Sequence, residues 1–225
     1  MGKMGHHISV VNITKKMGET EVLSHINMEL EGGQVYGMIG INGSGKSMLI
    51  RVLSGLVIPM EGYVEYDGKR LFRDMEVPEG LGVIIENEEM YPEFTGLKNL
   101  EFLGDINHKV TEDDIKNAML RVGLDPMDKR TYKKYSLGMR QKLSIAQAIM
   151  ENQQFLLLDE PTNGLDEESV QLFHKIVLEE KAKGCIILLA SHSKEDIYKL
   201  CDKVYSMKNG VLKLEEQEKQ RNVTS

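Results

Sequence analysis

Apolar and polar positions along the chain alternate between two rhythms. Residues 8–14 (ISVVNIT) and 25–30 (HINMEL) read as strands, the second with a clear period of two. Residues 31–33 (EGG) read as a turn, and 35–40 (VYGMIG) as a short apolar strand. A helix is predicted from about Lys46 to Ser54. The stretch YVEY at 63–66 ends in Asp67-Gly68, a hairpin signal. Residues 81–86 (LGVIIE) predict another buried strand.

From about 95 to 150 the rhythm becomes helical. Thr111 and Asp114 have capping-box spacing, and Ile115, Met119 and Val122 give the apolar stripe of the helix that follows. Ser136 caps another helix, with Met139, Leu143, Ala146 and Met150 on one face. Strands return at 155–159 (FLLLD) and 185–190 (CIILLA). Between them Val170, Phe173 and Val177 predict a helix that Gly184 ends. Residues 204–214 read as a closing hairpin, followed by a polar tail at 215–225.

Strands alternating with helices predict an α/β fold with a mainly parallel sheet, and the helical block at 95–150 reads as an insertion into it. That gives residues 1–94 as an N-terminal β subdomain with the first part of the core, and 151–214 as its second part.

Charge narrows the function. The net charge of −7 lacks the basic footprint of a general nucleic-acid binder and disfavours docking on an anionic membrane. The longest apolar run, at 185–191, is far short of the ~20 residues of a membrane span. Residues 1–10 lack the apolar core of a signal peptide. No direct membrane insertion is expected, so any membrane role requires another chain. Cys185 and Cys201 form neither a disulfide framework nor a zinc pattern, which fits a reducing cytoplasm.

The stretch GINGSGKS at 40–47 joins an apolar strand to a helix and matches GxxxxGK[ST], the phosphate-binding loop. Its glycines Gly40, Gly43 and Gly45 let backbone N–H groups, with Asn42 and Ser44 among them, turn around phosphate oxygens. The helix N-terminus at Lys46, Ser47 and Met48 adds positive potential. Lys46 is expected to reach the outer phosphates and the Ser47 hydroxyl to bind Mg²⁺. A second metal partner is needed at the end of a nearby strand. FLLLDE supplies Asp159, with Glu160 beside it as a candidate general base.

Five motifs then appear in a recognisable order. They are GINGSGKS (40–47), IIE (84–86), YSLGMRQ (135–141), LLLDEPT with NGLD (156–166) and ASHS (190–193). In these the chain resembles the ATP-binding subunits of ABC transporters, over nearly all of residues 8–214. The resemblance implies a P-loop NTPase (RecA-like) core with an N-terminal antiparallel β subdomain and a helical subdomain. It implies ATP and Mg²⁺ as ligands, with hydrolysis. It also implies a head-to-tail dimer with a second ATP-binding subunit, a homodimer by this reading. In that dimer Ser136 and Gly138 complete the opposite ATP site, Asp166 lies at the seam, and His192 contacts the γ-phosphate and holds water. An integral membrane permease would be the other partner, placing the chain at the cytoplasmic face of the membrane.

Three positions depart from the family pattern. Leu137 replaces a glycine of the signature. Glu86 replaces a glutamine and is expected to ligate the metal or its water. Met17 aligns with the aromatic residue that usually stacks on adenine. The stretches VIIENEEMYPEFTGLKNL and YSLGMRQKLSIA look most like the branch serving bacterial exporters of antimicrobial peptides and drugs, including lantibiotic immunity. Two other readings stand beside this one: a soluble ABC ATPase without a transport role, and a slow-hydrolysing ATP-dependent regulatory switch. Glu86, Glu88, Glu89 and Glu93 form an acidic surface that could receive a basic helix of the permease, or be a solvated loop.

Overall fold

The computed structural model describes residues 5–85 and 90–215. Two sheets carry the fold. The smaller is antiparallel, in the order β2 (Thr20–Glu31), β1 (His7–Met17), β4 (Glu61–Tyr66), β5 (Lys69–Arg70). The larger runs β10 (Val211–Leu214), β9 (Lys203–Lys208), β3 (Val35–Ile39), β8 (Ile186–Ser191), β7 (Phe155–Asp159), β6 (Leu81–Ile84). Its strands are parallel except β10, which pairs antiparallel with β9.

The continuous apolar runs of the sequence belong to this second sheet, which is covered on both faces. Along β7, Phe155 and Leu157 join Leu49, Ile50, Val52 and Leu53 of α1 (Lys46–Leu53) in one core, shared with the small sheet. Leu156 and Leu158 point the other way. There they meet Phe173, Ile176 and Val177 of α5 (Glu167–Ala182) and Ile197 and Leu200 of α6 (Lys194–Leu200). A helix between two sheets and helices on the far face make an α/β layered architecture, as the strand–helix alternation predicts.

The helical block is α2 (Gly96–Asn107), α3 (Glu112–Arg121) and α4 (Leu137–Ile149), between β6 and β7 in the chain. Thr111 and Asp114 close a capping box on α3, and Ser136 caps α4 through Met139 N–H at 3.2 Å. Leu143, Ala146 and Met150 are buried as their spacing predicts. The block is joined to α5 by ion pairs. Arg121 donates to Glu179 at 2.8 Å and to the buried Glu180 at 2.6 Å.

The chain differs from its sequence pattern in three places. The β1–β2 hairpin is longer than 8–14 and 25–30: β1 runs on through Lys15, Lys16 and Met17, and β2 starts at Thr20, with Leu23 buried and Val22 half-buried in the added part. The strand predicted at 81–86 is a strand at 81–84. Helix α6 has seven residues and buries only Ile197 and Leu200, too little for a periodic signal. The hairpin turns are as expected: Asp67-Gly68 and Asn209-Gly210 all have positive φ, the signature of a type I′ turn. Both cysteines are buried, and desolvation pushes each thiol up to about 12, so neither is reactive at neutral pH. Among the described residues no helix is long and apolar enough to cross a membrane.

Candidate functional site

Parallel strands deliver their loops to one edge of a sheet, and ligands gather there. Here β3, β8 and β7 are neighbours, and each ends at that edge. Ile39 pairs with Ser191 and Asp159 with Ala190, so the three ends are level. The glycine loop leaves β3, the 190–193 stretch leaves β8, and Asp159-Glu160 closes β7. A cavity of about 450 Å³ lies between them, lined by the loop from Asn42 to Met48 and by Asp159, Glu160 and His192.

The loop's shape follows from its glycines. Gly43 and Gly45 have φ of 77° and 115°, the left-handed side where a Cβ is strained. At Gly45 a Cβ would also stand 2.7 Å from the Val22 carbonyl oxygen. Gly40 is closed off in another way: a Cβ there would meet the Met207 carbonyl oxygen at 2.5 Å. Gly45 is the N-cap of α1, and no side chain caps that helix end. Its first-turn N–H groups therefore face the cavity, a ready anion site. Lys46 is 5% exposed, and its ammonium donates to the carbonyls of Gly40 at 2.8 Å and Ile41 at 3.4 Å. It lies folded across the loop, within reach of whatever the loop holds.

Across the cavity, Asp159 is 3% exposed at the end of β7. A buried carboxylate with the Ser47 hydroxyl in the same cavity is the donor set a small hard cation requires. Glu160 follows with φ 47°, a conformation unusual for a non-glycine residue. Its N–H donates to the Ala190 carbonyl at 2.8 Å, and its Oε2 lies 2.8 Å from His192 Nδ1. If Nδ1 carries the proton of a neutral imidazole, the free nitrogen Nε2 is an acceptor; a protonated ring donates from both sides.

A second cavity of about 440 Å³ lies on the other side of Asp159, Glu160 and Asn163. Its far wall is Leu137, Arg140 and Gln141 at the start of α4. Gln141 Nε2 donates to the Pro161 carbonyl at 2.9 Å, and a Cβ on Gly138 would stand 2.9 Å from the Gly164 carbonyl. The signature stretch thus packs against the loop that follows Glu160 in its own chain. Ser136 and Gly138 do not line the glycine-loop cavity.

Asp166 is the N-cap of α5, bonded to Ser169 N–H at 2.8 Å and to the Ser169 hydroxyl at 2.5 Å. The hydroxyl bond, then the N–H bond, holds its carboxyl below the usual range. Met17 ends β1 at the exposed hairpin tip and does not line the cavity. Glu86, with Glu88 and Glu89, lies outside the described residues. Glu93 is paired with Lys133 at 2.8 Å. The pattern of the sequence did not single out Val22 or Asn163, which also line the cavity. Val22 has no motif around it, whereas Asn163 sits in the turn-rich PTNGLD stretch.

An uncapped glycine loop after a buried parallel strand, opposite a buried aspartate on a neighbouring strand, defines a phosphate-loop nucleotide-binding protein of the α/β class. The chain belongs to the ABC transporter family: residues 23–163 match the family model described as "ABC transporter". It carries an ABC ATPase domain, as the five motifs imply. It is 45% identical to the uncharacterised ABC transporter ATP-binding protein YybJ of Bacillus subtilis, over 93% of this chain and 96% of that protein. It is 33% identical to the lantibiotic transport ATP-binding protein SrtF of Streptococcus pyogenes, over 93% and 90% of the two chains. A solved ATP-binding subunit of an ABC transporter superimposes with a TM-score of 0.82 at 25% identity, over 92% of this chain and 89% of that one.

Proposed function

We propose that this chain is the ATP-hydrolysing subunit of an exporter of an antimicrobial peptide, lipid or drug, docked to a separate membrane permease at the cytoplasmic face. The likeness to a lantibiotic transport protein supports the cargo class. The observation that carries the ATPase reading is the meeting of Lys46, Asp159, Glu160 and His192 around one cavity.

The chemistry follows from those positions. The glycine loop and the α1 N-terminus bind the β-phosphate, and Lys46 swings from the loop carbonyls to the β- and γ-oxygens. Ser47 and Asp159 would hold Mg²⁺, which would offset charge on the phosphate oxygens. Glu160 takes a proton from a water whose oxygen bonds to the γ-phosphorus. The bond from that phosphorus to the bridging oxygen breaks, and the electron pair leaves with ADP. His192 orients that water and the γ-phosphate. Residues 95–150 present Ser136 and Gly138 to the ATP of a second copy, so ATP closes the dimer and hydrolysis reopens it.

Turnover of Mg²⁺-ATP by the full-length chain tests this reading. Glu160→Gln is expected to lower turnover at least about a hundredfold, on the scale of general-base effects, while ATP still binds. Equal turnover in both proteins would remove Glu160 as the base. Turnover absent from both would favour the regulatory switch.

A further inference from the structure

A general base must be held still, and the backbone of Glu160 is not in a relaxed region. Its left-handed φ of 47° persists because the surroundings fix it. The Ala190 carbonyl holds its N–H at 2.8 Å. Two side chains then converge on one oxygen of its carboxylate. His192 Nδ1 lies 2.8 Å from Oε2, and the Ser191 hydroxyl donates to the same Oε2 at 3.3 Å. Neither of them touches Oε1.

The two partners differ in how firmly they are themselves held. The His192 side chain is 68% exposed on the loop after β8. Ser191 is 4% exposed and is the last residue of β8, paired with Ile39. Its Oγ accepts the N–H of Ser193 at 3.1 Å. With that lone pair engaged, the hydroxyl hydrogen is directed to Glu160. His192 is free to leave Glu160 for a phosphate oxygen; Ser191 has nowhere else to go.

We propose that Ser191 is a positioning residue for hydrolysis: it pins Oε2 of Glu160 and thereby presents Oε1 to the attacking water. Ser191 holds the carboxylate throughout the cycle, and His192 is the exchangeable partner. The inference rests on Glu160 being the general base.

Steady-state kinetics of the full-length chain separate this role from mere packing. Ser191→Ala should lower kcat about tenfold and leave KM for ATP within about twofold. Ser191→Thr, which keeps the hydroxyl, should retain most of kcat. Because ATP is then bound but slowly cleaved, Ser191→Ala should also accumulate an ATP-dependent dimer on gel filtration. In a Glu160→Gln background, adding Ser191→Ala should cost nothing further. Should Ser191→Ala not fold, Ser191→Cys, similar in shape but a weak donor, takes its place with the same expected split. An unchanged kcat in Ser191→Ala, or a threonine variant as slow as the alanine one, overturns the proposal. Those results with an active parent leave the ATPase reading intact, whereas an inactive parent refutes that reading instead.

Discussion

Two helix N-termini in this chain are finished in different ways. At α1 the cap is Gly45 in a left-handed conformation, with no side-chain cap, so the first-turn donors are open to a ligand. At α4 the cap is Ser136, whose own hydroxyl takes the Met139 N–H at 3.2 Å. Leu137 stands beside it, 65% exposed, over Gly164. The first end leaves its first-turn N–H groups without a side-chain cap and sets a lysine beside them. The second is already stable by itself and offers only what its cap leaves over. The difference matches the division of labour proposed above: α1 binds nucleotide in its own chain, and α4 adds to a nucleotide that another chain already holds.

That contrast breaks most readily at Lys46. Lys46→Ala should weaken ATP binding about a hundredfold, the scale of a lost charged hydrogen bond, as read by titration calorimetry. A change of less than threefold would show that the loop needs no lysine. The effect at the other helix is smaller and of another kind. Ser136→Ala should lower stability by about 1 kcal/mol in urea unfolding, the usual cost of an N-cap, with ATP affinity of the isolated subunit unchanged within twofold. Weaker ATP binding by the isolated subunit would place both helix ends in one site.

Much of this was legible in the chain because the signals are local. The glycine loop, the apolar strand ending in Asp159, the capping box at Thr111 and the cap at Ser136 each depend on residues a few positions apart. The layered fold followed from alternating periods, and the double-sided burial of β7 and β8 from their unbroken apolar runs. What sequence did not reveal is set by tertiary proximity. Val22 lines the cavity only because the small sheet brings β2 beside Gly45. Ser191 meets Glu160 only because β7 and β8 are neighbours in register. The left-handed backbone of Glu160 has no sequence mark at all. Met17, at the end of β1, is exposed and is not among the residues lining the cavity.

In the proposed function, ATP held by one subunit's glycine loop is completed by another subunit's α4. Sedimentation equilibrium of the Glu160→Gln protein with saturating Mg²⁺-ATP, with Mg²⁺-ADP and without nucleotide tests it most directly. A dimer is expected with ATP alone, dispersed by adding Ser136→Ala with Gly138→Asp, and monomers in the other two conditions. A protein that binds ATP fully yet sediments as a monomer in all three would contradict it.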